Sequence, residues 1–384
     1  MDGTDALTIA MAGDIANIDR ATWDGLANPA GEAFDPFLSW DFLEALEQSG
    51  CVGAATGWQP AHLLARDGAG AAVGAAPFYL KQHSYGEYVF DHAWADALMR
   101  SGGRYYPKLQ GAVPFTPVPG RRLLAREGDV RAALARGAVG LAQRAGFSSV
   151  HVTFAPRETC AALARQGYLT RTGLQYHWFN RGYENFEHFL SNLSSQKRKT
   201  IRRERARACE GVAIRQLHGD DIKPRDWDFF FRCYVDTGSR KWGSPYLNRD
   251  FFALIGERMA ERCVLFVAEA DGRPVASALN FIGSEALYGR YWGKLAEIPF
   301  LHFELCYYRA IDFAIHEGLA RVEAGAQGEH KLARGYEPAP TYSAHWIAHS
   351  GLREAVARYL EAETPAVAEE AEMLAESGPF RRGG

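Results

Sequence analysis

Apolar and polar positions along this chain follow two periods, one helical and one extended. Residues 129–146, DVRAALARGAVGLAQRAG, repeat their apolar positions every three or four residues and close on Gly146, which predicts a helix with a glycine stop. PFLSWDFLEALEQSG (36–50) and the segment after Asp91 read the same way. PRDWDFFFRCYVDTGS (224–239) and NRDFFALIGERMAER (248–262) read as amphipathic helices opened by Pro-Arg-Asp and Asn-Arg-Asp. HFELCYYRAIDFAIHEG (302–318) reads as one helix ended by Gly318. Two stretches switch to the extended pattern around an Asp-Gly turn, LLARDGAGAAVGAAPFYL (63–80) and LFVAEADGRPVASALNFI (265–282), and each predicts a hairpin. After about residue 350 the chain reads as helical and acidic, and the closing GPFRRGG as disordered.

The pattern occurs twice. RQGYLTRTGLQYHWF from Arg165 aligns with ARGYEPAPTYSAHWI from Ala333, so that Gly167, Tyr168, His177 and Trp178 match Gly335, Tyr336, His345 and Trp346 at a constant offset of 168. Upstream, LAQRAGFSSVHV (141–152) matches FAIHEGLARVEA (313–324), and the two hairpins match each other. The unit is hairpin, helix, strand, helix, Gly-aromatic turn, strand. Its period far exceeds the roughly 20–50 residues of a solenoid, so the chain holds two copies of one α/β domain, 1–184 and 185–384. A length of 384 residues, long for one core, agrees.

Composition narrows the function. A net charge of −3 gives no general attraction to nucleic acid or anionic lipid, so any polyanion site must be a local patch. Six scattered cysteines with no C-x-x-C pair fit reduced thiols of a cytosol rather than a disulfide framework or a zinc ribbon, and no metal site is expected. The N-terminus carries acids and no basic leader, so it does not read as a signal peptide. No apolar run reaches the ~18 residues of a membrane span, and a cytoplasmic location is expected.

The repeat resembles the GNAT N-acyltransferase fold, an α/β domain with a mixed sheet: a hairpin, a helix, the strand RVEAG, a helix, and a Gly-Tyr turn before a last strand. Two such domains in tandem resemble the Fem family of aminoacyl-tRNA-dependent peptidyltransferases. More narrowly, they resemble Fem-like bacterial proteins described as peptidoglycan biosynthesis/recognition or N-acyltransferases. The marks are PFTPVPGRRLL (114–124), HFELCYYRAIDFAI (302–315) and GAQGEHKLARGY (325–336), and the resemblance covers nearly the whole chain. More loosely, YYPKLQGAVPF (105–115) is similar to the Tyr-x-Pro-basic stretch of Fem first domains and adds Lys108 as a binding candidate. The resemblance implies amide formation from an activated acyl group. In one place the sequence departs from GNAT acetyltransferases. Those hold the CoA pyrophosphate with R/Q-x-x-G-x-G/A at a helix N-terminus, whereas YWGKLAEIPFLHFEL (291–305) has one glycine. No cofactor is expected to be held tightly. Aminoacyl-tRNA is the preferred co-substrate, with acyl-CoA as the alternative.

Amide formation needs a base for the amine, a donor for the oxyanion and a route for the leaving group. Glu329, His330 and Lys331 bring an acid, an imidazole and an ammonium together between glycines. Fem and related acyltransferases place a lysine after the equivalent strand, which implies that Lys331 serves the donor carbonyl or a phosphate. Glu329 and His330 are the acid–base candidates. The plain alternative is a solvated turn. Arg334, which closes the same stretch, is a candidate for binding donor or substrate. HFELCYYRA puts Glu304 and Tyr308 on one helix face, with Tyr308 as a proton donor and His302 in the first turn, or else two tyrosines packed on the sheet. GRYWGK places Arg290, Tyr291 and Trp292 on a cleft or on a sheet rim, and SRKWGSPY adds Arg240 and Trp242 from a loop. SSQKRKTIRRERARA (194–208) sets seven basic residues, among them Arg198, Arg202 and Arg205, against Glu204. This helix is either a face for tRNA or a nucleotide-linked acceptor, or a surface helix neutralised by the acidic tail. The reading is an N-acyltransferase acting on an amine of a cell-wall precursor or small metabolite. A module that only binds RNA or such a precursor is the other class. The oligomeric state is not legible.

Overall fold

The computed structural model describes residues 7–381 apart from 242–244 and 326–327, with the side chains of 238–241 and 329 also outside the description. The first half of the chain begins with β1 (Thr8–Ala12), α1 (Arg20–Ala27) and α2 (Trp40–Gln48). Asp19 and Ser39 start the two helices by accepting from the backbone N–H groups of Thr22 and Phe42. Next come β2 (Trp58–Pro60), β3 (His62–Arg66), β4 (Ala72–Ala76) and β5 (Phe78–Lys81). Then follow α3 (His92–Arg100), β6 (Lys108–Gly111), α4 (Gly128–Ala145), β7 (Ser149–Thr153), α5 (Arg157–Ala164) and β8 (Leu169–Phe179).

The second half opens with α6 (Phe186–Ser191), the basic helix α7 (Ser195–Ala208), β9 (Val212–His218), α8 (Pro224–Lys241) and α9 (Arg249–Arg258). A three-stranded meander follows, β10 (Cys263–Ala270), β11 (Arg273–Ile282) and β12 (Ala286–Lys294). The segment read as one helix from residue 302 is interrupted. α10 (Leu301–Phe303) widens into a π-helical turn, Glu304–Tyr308, before α11 (Arg309–His316). β13 (Arg321–Glu323), a 3-10 turn at Glu329–Arg334, β14 (Glu337–Ile347) and α12 (Ser350–Glu376) complete the chain. The two Gly-Tyr turns of the repeat share a conformation. Gly167 and Gly335 have φ of +88° and +89°, a region that L side chains rarely adopt, and each is followed by an 11-residue strand. The closing segment read as disordered is placed through Arg381. The Pro379 carbonyl accepts from Ser194 N, and Phe380 bridges Leu193.

The chain packs as two units, Met1–Gly173 with Pro340–Glu369, and Leu174–Ala339 with Glu370–Gly384. A cut after residue 184 does not coincide with this packing, because each repeat's last strand is built beside the other repeat's penultimate strand. β14 pairs antiparallel with β7, His345 facing His151, and β8 pairs antiparallel with β13, His177 facing Glu323. The first unit holds an antiparallel sheet β1-β3-β4 and the strand run β2-β5-β6-β7-β14, with β6 and β7 parallel. Its core gathers Leu63, Phe78, Leu109, Leu134, Val150 and Val152. The second unit holds the run β8-β13-β12-β11-β10-β9, with β12 and β13 parallel. One face of this run buries Val264, Phe266, Leu287 and Val322 with Leu305 and Ile311 of the interrupted helix.

Helix α8 packs on β12 so closely that a Cβ on Gly293 would lie 2.0 Å from the Cys233 carbonyl oxygen. The oxygen belongs to backbone and cannot rotate away, so only movement of the helix or the strand relieves the clash. Gly293→Ala is therefore expected to lower stability by about 1–3 kcal/mol, the usual cost of overpacking. The midpoint of urea unfolding should drop accordingly, and an unchanged midpoint would contradict this seating of α8.

Candidate active site

Two irregularities in the second unit create a cavity. The first is in β12. Leu279 of β11 faces Tyr291 while Asn280 faces Gly289, so Arg290 is an extra residue with no opposite number. Such a bulge breaks the ladder locally and re-aims side chains, and bulges are over-represented beside active sites. The second is the π turn, whose i→i+5 spacing is frequent at functional positions. That spacing brings His302 and Tyr307, five residues apart, to a ring separation of 5.4 Å. Between the bulge and the π turn lies a cavity of about 160 Å³ lined by Asn280, Arg290, Tyr291, Trp292, His302, Cys306 and Tyr307, among others. The Trp292 and His302 rings are 5.0 Å apart, and Tyr291 packs edge-on against Tyr234 at 5.4 Å. Arg290, Tyr291, Trp292 and His302, read separately from two motifs, thus come together.

The Glu329–Arg334 turn, bounded by Gly328 at φ +116° and Gly335, supplies the adjoining groups. Lys331 is not a solvated turn residue. It is 2% exposed, and its Nζ donates to the Gly325 carbonyl at 2.9 Å. Burial brings its ammonium down to about 8; Cys306 opposes the shift and Arg290 adds to it, so Lys331 interacts electrostatically with two residues of the cavity wall. His330 is exposed, and its Nε2 lies 2.8 Å from the Tyr307 hydroxyl. The side chain of Glu329 lies outside the described residues, as do Trp242 and the side chain of Arg240.

Other candidates have structural work instead. Tyr308 is fully buried and its hydroxyl donates to Glu204, while burial and this bond push its pKa far up, so it holds its proton rather than giving it to a leaving group. Arg334 grips the same Glu204 with two contacts of 2.9 Å, donates to the His330 carbonyl at 2.7 Å and lies 3.4 Å over the Phe303 ring. Glu304 is fully buried between Arg205, at 3.0 and 3.1 Å, and Arg309, at 2.9 Å. Arg205 is therefore an internal counter-ion, stacked 4.2 Å over Phe186, and not part of a polyanion face. Arg202 pairs with Glu187, Arg198 donates to the Ser191 carbonyl at 3.4 Å, and the acids that answer this helix come from near it rather than from the tail. In the first unit Lys108 is 1% exposed and neutralised by Glu87 at 2.6 Å and Asp91 at 2.5 Å, with Ser84 at 2.9 Å, so it braces that core instead of meeting a ligand. His345 bonds His151 at 2.7 Å, and no group of three metal-ligating side chains occurs among the described residues.

Reasoning from the sequence missed Cys306, Tyr307, Asn280 and the role of Glu204. The one acid in a run of seven bases was the available signal for Glu204, since a lone opposite charge on a helix that buries Ile201 and Ala208 marks the face that turns inward. Cys306 had no signal beyond its place between His302 and Tyr307.

The solved structure of FemX superposes with a TM-score of 0.55 at 11% identity, covering 88% of this chain and 98% of FemX. The C-terminal domain of a putative lysylphosphatidylglycerol synthetase from Agrobacterium fabrum gives 0.54 at 10% identity, covering 91% and 97%. L-PGS from Bacillus licheniformis gives 0.51 at 13%, covering 86% and 98%. At these identities the likeness is one of fold. No curated protein matches the sequence. Residues 14–382, which include the cavity, the Lys331 turn and both repeats, match one family along their whole length. The chain belongs to the FemAB-like family, described as peptidoglycan biosynthesis/recognition.

Proposed function

We propose that the protein is an N-acyltransferase that joins an activated acyl or aminoacyl group to an amine in the cavity of the second unit. The observation that carries this reading is the buried Lys331 amine, held by the Gly325 carbonyl next to Ala324 of the cavity lining, which also contains Arg290. Two cations next to a small polar cavity suit the negative oxygen that develops when an acyl carbonyl is attacked. His330, hydrogen-bonded to Tyr307, is the group able to take a proton from the incoming amine. The family description, peptidoglycan biosynthesis/recognition, supports an amine acceptor of the cell wall, and the lysyl group in the name of the Agrobacterium fabrum synthetase is in keeping with an aminoacyl donor. Among the described residues no helix is long and apolar enough to cross a membrane.

The test is an amide-transfer screen that pairs charged tRNAs and acyl-CoAs with amine acceptors. No transfer with any pair would favour the binding-module reading. If tRNA is the donor, the exposed Lys199 and Arg203 of α7 are among the contacts available to its phosphates, whereas Arg205 is committed to Glu304. Binding should then weaken with salt at a log–log slope of roughly −0.7 to −0.9 per phosphate, and Lys199→Glu with Arg203→Glu should flatten the slope by roughly two contacts. A salt-independent Kd that ignores both changes would remove tRNA from consideration.

One feature favours an acyl-CoA instead. The first unit carries a depression of about 620 Å³ lined by Arg121, Arg131, Arg136 and Arg165, a basic setting that suits a phosphorylated small donor. Acyl-CoA binding lost on Arg136→Glu with Arg165→Glu, and untouched by the α7 changes, would establish that reading.

A further inference from the structure

We propose that Cys306 is the nucleophile that carries the acyl group, so that transfer runs in two half-reactions through a thioester on its sulfur. The proposal rests on the acyltransferase reading and adds to it a covalent intermediate.

Position singles this residue out from the other cysteines. Cys51, Cys160, Cys233 and Cys263 are buried, and burial pushes the Cys160 and Cys233 thiols up to about 12. Cys209 is half-buried, but burial and the nearby Glu304 carboxylate raise its thiol. Cys306, also half-buried, lines the cavity described above together with His302 and Tyr307 of its own helix and Arg290 of the bulged strand. A thiolate is the reactive form of cysteine, and neighbouring cations favour it. The Arg290 guanidinium, in the same cavity lining, and the Lys331 ammonium, which Cys306 influences electrostatically, are the cations here. An independent observation lies behind the cavity wall. The Tyr336 hydroxyl is fully buried and has no hydrogen-bond partner among the described residues. Its ring is 5.5 Å from that of Tyr307, and its electrostatic neighbours include Tyr307 and Cys306. A buried O–H left without an acceptor can donate to a negative charge that forms within its reach.

In the first half-reaction the Cys306 sulfur attacks the donor carbonyl carbon. The S–C bond forms, the bond from that carbon to the leaving oxygen or sulfur breaks, and the leaving group departs with the electron pair and takes up the proton released by the thiol. In the second, the amine nitrogen attacks the thioester carbon. The N–C bond forms, the C–S bond breaks, and the ammonium proton passes through His330 or directly to the sulfur, which restores Cys306.

The full chain treated with p-nitrophenyl acetate tests this. Wild-type protein and Cys209→Ala should release one p-nitrophenolate per chain in a burst, with the acetyl group found by mass spectrometry on the Cys306 peptide. Cys306→Ala should give no burst. A burst that persists in Cys306→Ala, or an acetyl group on another residue, overturns the proposal. If Cys306→Ala fails to fold, iodoacetamide labelling of the wild type needs no variant: Cys306 should be alkylated about tenfold faster than Cys209, and equal or slower labelling overturns the proposal. The two readings separate in the amide-transfer assay. Cys306→Ala transferring at the wild-type rate removes the thioester and leaves the acyltransferase standing. Stoichiometric acylation of Cys306 without transfer to any amine supports the nucleophile and counts against the acyltransferase.

Discussion

Lys331→Met is expected to abolish amide transfer while leaving the protein at least as stable as the wild type at neutral pH. A turn lysine in water would predict a nearly neutral substitution, but this one is 2% exposed. Burial brings its ammonium from an ordinary 10.5 down to about 8, so the folded state binds this proton less tightly than the unfolded chain does. Below about pH 8 both states carry the charge and the folded state bears the full penalty, on the order of 3 kcal/mol for a shift of this size. As pH rises from about 8 toward 10.5 the folded state releases the proton first, and the penalty disappears. Wild-type stability relative to Lys331→Met should therefore increase across that window, which urea midpoints of both proteins at pH 7 and pH 10 would measure. The same titration assigns the role. If the ammonium stabilises the acyl oxyanion, kcat falls as pH passes about 8; if the neutral amine is a base, kcat rises there. Falling kcat is expected, because Arg290 and Lys331 together supply positive charge. Full turnover in Lys331→Met would remove the residue from the chemistry.

Glu204→Ala is expected to cost about 3–5 kcal/mol, the range for stranding one partner of a buried ion pair. Its partner Arg334 has a side chain only 8% exposed and cannot regain water, and the Tyr308 hydroxyl loses its acceptor at the same time. Glu304→Ala is the informative contrast. Glu304 is buried even more fully, but its partners Arg205 and Arg309 have side chains 21% and 34% exposed, and Arg205 also reaches Asp312 at 3.5 Å. Those guanidiniums can rehydrate, so the loss should be about half as large. Chemical denaturation of the two variants side by side checks the order. A Glu304→Ala variant less stable than Glu204→Ala would mean that solvent access does not decide these costs. Because Arg334 also holds the His330 carbonyl, Glu204→Ala should lower transfer even at temperatures where the protein stays folded.

Periodicity carried the elements well because most of them are amphipathic and punctuated by glycine. Gly146, Gly318 and the Asp271-Gly272 turn fall where the pattern placed them. The constant offset between Gly167-Tyr168 and Gly335-Tyr336 was equally legible, since only a backbone position with positive φ needs glycine so strictly. Three things were hidden. A π turn leaves no mark in composition, so His302 and Tyr307, which helical spacing sets apart, were not seen to share a face. A bulge is a property of pairing between strands, so the special place of Arg290 required the register of β11 against β12. Finally, charge runs do not say which charges are answered. Arg205 and Arg334 looked like ligand contacts and are counter-ions, because their carboxylate partners lie 99 and 130 residues away in sequence.

The pairing of β14 with β7 also sets a timetable for synthesis. Ribosomes deliver the first 173 residues well before residues 340–369, so the leading unit emerges with the β14-facing edge of β7 unpaired and without the helix that buries Leu352, Val356 and Leu360 beside Trp94. It must wait through some 166 intervening residues, about 8–33 s at ordinary elongation rates, and those residues form the bulk of the other unit. Nascent chains arrested before β14 should thus keep the first unit protease-sensitive, and its native structure should appear as a late event of translation although its residues emerge first.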